Sequence, residues 1–182
     1  MRRAARLCLV VGSVALPSAS SLTGQIGELH LGVVANYGTA GAFGPGAGLV
    51  AGIAPGRLVY VGVRWSYQVG STQAEVRTRV QSFAADLGVQ LPAGPVEVVP
   101  SLSLGALRYA QRAAGNTTHS AVEFLAAPGL SVEIPVARVA LIPEVQFYLA
   151  GKPSNLSVPV THRGLLTSLR LVVPIEVSRF RW

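Results

Sequence analysis

Apolar residues recur at every second position along segment after segment of this chain. Successive side chains of a β-strand point to opposite faces, so each such segment presents one apolar face and one of different character. In 29–37, Leu29, Leu31, Val33, Ala35 and Tyr37 oppose His30, Gly32, Val34 and Asn36. In 46–54, Ala47, Leu49, Ala51 and Ile53 oppose Gly46, Gly48 and Gly52. In 59–68, Val59, Val61, Val63, Trp65 and Tyr67 oppose Tyr60, Gly62, Arg64, Ser66 and Gln68. The pattern continues in 96–106, 122–134, 139–149 and 165–175, whose opposite faces carry Glu97, Glu123, Glu133, Glu144 and Arg170. Segment 75–91 is irregular: Arg77, Arg79 and Gln81 give way to Phe83, Ala85, Leu87 and Val89, a change of polarity that predicts a bulge or a different boundary. The total is eight strands, an even number.

Turns and connections alternate too. Ala54-Pro55-Gly56-Arg57, Pro92-Ala93-Gly94-Pro95 and Pro135-Val136-Ala137-Arg138 are tight turn segments spaced 38 and 43 residues apart, which defines a repeated hairpin of about 40 residues. The other connections, roughly 37–45, 69–75, 110–120 and 151–163, are longer and more polar. Short turns at one rim and long loops at the other are the arrangement of bacterial outer-membrane barrels.

Alternation alone does not separate a lipid-facing barrel from a soluble sheet; composition does. Mean hydropathy is +0.46, and 13% of residues are charged, against about 25% in an ordinary soluble domain. After residue 17 no uncharged apolar run is long enough for a spanning helix. Gly and Pro, 20 and 12 residues of 182, disfavour a helical bundle. A soluble sheet would carry Lys, Glu and Asp on its wet face, yet Lys152 is the only lysine and Asp86 the only aspartate. The polar faces hold small residues and scattered opposite charges, Arg64, Arg77, Arg79 and Arg170 against Glu97, Glu123, Glu133 and Glu144. That set suits a narrow interior filled by paired side chains. Aromatics near strand ends (Tyr37, Trp65, Tyr67, Tyr109, Phe147, Tyr148, Phe180 and Trp182) read as interface girdles. The rival architecture is a periplasmic lipocalin-like barrel or sandwich with its apolar face inward.

The N-terminus reads as an address. Basic Met1–Arg6, apolar Leu7–Leu16 and small residues at Ser18 and Ser20 make a secretory signal peptide cleaved after Ser20, leaving a barrel domain over 21–182. Cys8, the single cysteine, falls inside the leader, so the mature chain has no thiol chemistry. Three arginines leave with it, and twelve basic against eight acidic residues leave a net charge of +4. No cluster of Lys/Arg with interleaved aromatics remains, so nucleic acid is not an expected partner.

Leader, eight alternating strands, short turns, long loops and terminal Phe180-Arg181-Trp182 together resemble the small eight-stranded outer-membrane barrels, the outer-membrane protein A transmembrane domain and its X-type relatives. The resemblance is architectural and covers most of 21–182. It implies an all-β, up-and-down antiparallel transmembrane barrel in the outer membrane of a Gram-negative cell, with both termini periplasmic and outer-membrane lipid around it. It also implies that Trp182 stands where the family carries a C-terminal aromatic read by the barrel-insertion machinery during assembly. Phe is the usual residue there, and Glu176-Val177-Ser178-Arg179 makes this end more polar than usual.

Some barrels of this kind modify lipid A, so catalytic groups matter. A Ser nucleophile needs a His base oriented by a carboxylate. His119-Ser120 with Glu123 is the one local candidate. Neighbours on a strand face opposite ways, and the His-x-Ser spacing of those deacylases is absent. The expectation is therefore no enzyme. His30 is expected in the lumen, with His119 and His162 in loops. Dispersed acids argue against a metal, Gly44-Pro45-Gly46-Ala47-Gly48 lacks the Lys and helix of a phosphate loop, and no cofactor is expected. The reading is a monomeric barrel with a structural or surface-interaction role. Its lumen network comprises Arg64, Arg77, Arg79, Glu97, Glu123, Glu133, Glu144 and Arg170, and loops 37–45, 110–120 and 151–163 offer contacts to a possible extracellular ligand. The alternatives are a narrow channel for small solutes or ions and a lipid A-modifying enzyme.

Overall fold

A computed structural model describes residues 27–39, 42–55, 58–70, 72–113 and 118–177. The leader, with Cys8 and the cleavage site, and the terminal Trp182 lie outside the described residues. Eight main strands follow one another: β1 (Gly27–Gly38), β2 (Pro45–Ala54), β3 (Val59–Gln68), β4 (Val76–Val89), β5 (Val96–Arg112), β6 (Thr118–Val136), β7 (Val139–Ala150) and β8 (Arg163–Val177). Each pairs antiparallel with its neighbour in sequence, and β1 pairs with β8 from Gly27↔Val177 to Gly38↔Leu166. The sheet is a closed up-and-down barrel, in which no main strand is left as an edge. Two short ladders extend its hairpins, Thr72–Gln73 on β4 and Leu91–Ala93 on β5.

Closure divides every strand into an inward and an outward set. The outward set is the apolar one: Val33, Leu49, Phe83, Val122, Phe124 and Leu130 are each more than half exposed. The inward set holds His30, Arg64, Asp86, Glu144, Gln146 and Arg170, all nearly inaccessible. This is the inverse of a soluble sandwich, and it suits a wall that faces lipid.

The turn at Ala137-Arg138 is tight, with Ala137 at φ 56°, and Gly94 at φ 71° closes the β4–β5 connection. The β6–β7 ladder lapses beside Pro128 and again beside Pro143, whose missing N–H groups cannot donate. Strands β5 and β6 run further than alternation suggests, up to Arg112 and from Thr118. His119 accordingly sits on β6 opposite Gln111 and is not a loop residue.

The polarity change in 75–91 has no bulge behind it. Pairing between β4 and β5 runs without interruption from Arg77↔Arg112 to Gly88↔Ser101. Arg77, Arg79, Gln81, Phe83, Ala85, Leu87 and Val89 all take the outward parity. The side chains change character because the strand outruns the apolar belt, while the backbone stays regular.

Candidate functional site

The lumen is packed in three layers. At its centre Arg64 of β3 reaches the opposite wall. Its Nη1 donates to Glu144 Oε2 at 2.7 Å and to Gln146 Oε1 at 3.1 Å, both on β7. Its Nε and Nη2 donate to Asp86 Oδ2 on β4 at 3.0 and 2.9 Å, and Nη2 also reaches Glu144 Oε1 at 3.0 Å. A planar guanidinium presents its donors as a rigid fork, which lets one side chain hold two carboxylates. Ser103 of β5 donates to Asp86 Oδ1 at 2.5 Å and accepts from Gln146 Nε2 at 2.8 Å. Arg170 of β8 lies 3.5 Å from Glu144 and donates to Ser131 of β6 at 3.2 Å. Six of the eight strands, β3 to β8, are tied by this girder, and its two arginines balance its two carboxylates.

Towards the long loops an apolar layer follows. Phe43, from the β1–β2 connection, turns inward beside Tyr109 and Tyr148, with Val80, Leu107 and Leu125 around them. Gly38 makes this possible: a Cβ there would collide with Phe43. The β7–β8 loop covers the mouth. Gln111 donates to the Val158 carbonyl at 2.8 Å and accepts from its N–H at 3.1 Å, while Leu156 and Val160 pack on the apolar layer. Towards the short turns lies a second cluster of Val34, Val50, Ala140, Ile142 and Val172. His30 packs on the Tyr60 ring at 5.6 Å and meets Glu28 at 3.3 Å. Cavities of about 10 Å³ beside His30 and about 20 Å³ beside Arg64 have room for about one water each.

The expected lumen set therefore divides. Glu144 lies 2.7 Å from Arg64 and 3.5 Å from Arg170. Glu97, Glu123 and Glu133 take inward positions, yet none lies within ion-pair distance of an arginine among the described residues. Glu97 and Glu133 face each other across the β5–β6 ladder near the short-turn rim, and Glu123 lies against Gly151 at the other end. Arg77 and Arg79 are not lumen residues. They share the outward parity of Phe83 and are exposed, because β4 keeps a single register through its whole length. Tyr109 and Tyr148 are buried in the lumen, not in a girdle. Sequence reasoning missed Asp86, Gln146, Ser103 and Ser131. Parity carried the signal for Asp86: it alternates with outward Ala85 and Leu87, which puts the only aspartate indoors.

His119 is half-buried on the inward parity of β6, and Ser120 points outward. Among the described residues no Ser–His hydrogen bond is found, and no three His, Cys, Asp or Glu side chains gather as metal ligands.

A closed eight-stranded up-and-down barrel with an apolar outer wall and an interior filled by side chains around a charged centre is the fold of the small outer-membrane barrels. The comparisons agree. Neisserial surface protein A matches with a TM-score of 0.57 at 13% identity, over 84% of this chain and 97% of that one. A major outer membrane protein from Thermus thermophilus matches at 0.58 and 16%, over 83% and 99%. Ail, the attachment invasion locus protein of Yersinia pestis, solved with the heparin analogue sucrose octasulfate, matches at 0.53 and 8%, over 85% and 99%. No family model and no curated protein matches the chain. At these identities the likeness is one of fold.

Proposed function

We propose that the chain is a monomeric outer-membrane protein with a structural or surface-interaction role, whose lumen is a plug. The observation that carries this reading is the Arg64 girder. One side chain crosses from β3 to β7 with all its nitrogens engaged by Asp86, Glu144 and Gln146. An ion passing the barrel would have to break several charge-assisted bonds at once, and the apolar layer of Phe43, Tyr109 and Tyr148 stands in line with it. Purified protein in a planar bilayer is expected to give no stable single-channel steps. Reproducible ion-sized steps from the wild-type protein would overturn the plug and favour the narrow channel.

Contact with an extracellular ligand falls to the parts of the long loops that do not turn inward. In the 151–162 connection Lys152, Ser154, Asn155 and Ser157 are exposed while Leu156 and Val160 face the lumen. The split of His119 and Ser120 to opposite faces supports a non-enzymatic role. Residues 1–20 act in this reading as a leader. The intact mass of protein extracted from outer membranes is expected to match a chain beginning at Ser21, and a mass that retains Met1 would remove the leader.

A further inference from the structure

Charge in this chain is sorted by face. Seven of its eight acidic residues, Glu28, Asp86, Glu97, Glu123, Glu133, Glu144 and Glu176, take the inward parity of their strands, and the eighth, Glu75, sits in a turn. No acid occupies an outward strand position among the described residues. Arginines do: Arg77 and Arg79 on β4, Arg108 and Arg112 on β5 and Arg163 on β8 are outward and exposed, all near the long-loop rim.

The ladders place three of them in order above the lipid-facing wall. Trp65, Phe83, Ala106 and Phe124 form one outward row across β3, β4, β5 and β6. The next row towards the loops is Tyr67, Gln81, Arg108 and Val122, and Arg79 and Arg77 head the two rows after that. Each row adds about 7 Å along the strand, so with the usual barrel tilt the arginines stand roughly 5 to 15 Å above the aromatic row. A headgroup layer is about 5–7 Å deep on each side of the hydrocarbon core. Arg108 thus enters it immediately above the aromatic row. Arg79 and Arg77 stand at and beyond its outer edge, where a long side chain reaches back to it along the wall. No carboxylate of the described residues lies within ion-pair distance of Arg77, Arg79 or Arg108.

We infer that Arg77, Arg79 and Arg108 form a binding site on the outer wall of the barrel for net-anionic, phosphate-bearing lipid headgroups of the outer leaflet. A guanidinium takes a phosphate through two parallel hydrogen bonds, and its weak hydration suits it to a membrane surface. The occupant is a lipid because the site continues upward from Phe83 and Phe124, which already face acyl chains. A soluble polyanion would have to displace headgroups to reach Arg108. This inference requires only the lipid-facing barrel, so it stands or falls separately from the plugged lumen.

The test uses Trp65 as reporter, in a Trp182→Phe background that leaves it the single tryptophan. The full chain is reconstituted in vesicles of brominated phosphatidylcholine with increasing unbrominated phosphatidylglycerol. Relief of Trp65 quenching gives the relative affinity of the two headgroups. The expected preference for phosphatidylglycerol is roughly tenfold at low salt and shrinks as salt rises. R77Q/R79Q/R108Q brings it to about one, while the corresponding triple lysine variant keeps most of it. Folding of each variant is read from heat-modifiable gel migration. Should the triple glutamine variant fail to fold, R108Q alone is expected to halve the preference. Absence of preference in the parent protein overturns the site, as does an undiminished preference in the folded glutamine variants. Arginine-dependent binding of sucrose octasulfate in pure phosphatidylcholine vesicles, without any lipid preference, also overturns it and identifies a soluble-ligand site instead.

Discussion

Arg64→Met is expected to destabilise the barrel by about 3–5 kcal/mol, the usual result of stripping one partner from a buried ion pair. Asp86 and Glu144 are nearly inaccessible and lose their shared cation, leaving Glu144 with only Arg170 at 3.5 Å and Asp86 with Ser103. Urea titration in lipid vesicles, followed by heat-modifiable migration, measures the loss. The sharper form removes one carboxylate charge together with the cation. The double variant with Arg64→Met and Asp86→Asn is expected to recover much of the stability, because it leaves Glu144 facing Arg170 with the buried charges equal again, and the cost lies in the orphaned carboxylate more than in a missing bond. A double variant no more stable than Arg64→Met would show that packing of the arginine stem, not charge balance, holds the lumen together. The same proteins bear on the plug: planar-bilayer steps confined to the Arg64→Met barrel would place the barrier to ions at the girder.

The second large effect belongs to the outer wall. Leu102 on β5 lies in an outward row with Leu87 and Pro128, below the row that contains Arg108 and midway down the apolar run towards Val96. Leu102→Arg is expected to cost roughly 2–4 kcal/mol, the penalty for an arginine at the bilayer midplane of a barrel. Arg108 on the same face of the same strand is native. Moving an arginine from 108 to 102 along one outward file thus takes it from the headgroup layer to mid-membrane. Unfolding in vesicles reads the difference, and an unchanged midpoint for Leu102→Arg would contradict a lipid-facing wall at that height.

The alternation of Leu31, Val33 and Ala35 with Gly32 and Val34, echoed in the other strands, was sufficient for their number and for the face of most residues. A pleat of period two leaves only two choices for each side chain. The near absence of Lys and Asp then decided which face met lipid. The assignment of Arg77 and Arg79 to the lumen failed for a related reason. β4 runs past the hydrocarbon layer, and polarity marks the inward face only within that layer. Beyond it the outward file is free to be charged, and the uninterrupted register from Arg77 to Gly88 shows the file to be one. The phase of Phe83, Ala85 and Leu87, extended backwards by twos, already points Arg79 and Arg77 outward.

Which strands stand opposite each other is another matter. Arg64 and Glu144 are 80 positions apart, and their local alternation says only that both face inward. They meet because closure of eight strands puts β3 across from β7, at a stagger fixed by every ladder between them. The inward turn of Phe43 depends likewise on the empty side of Gly38 and on the space left by Tyr109 and Tyr148, none of which is local to the loop. By itself the sequence determined the strands, their faces and the medium outside. The tertiary structure alone decided which inward charges are partners, since pairing across a lumen depends on barrel closure and stagger, and these are properties of the ring of ladders that no single strand carries.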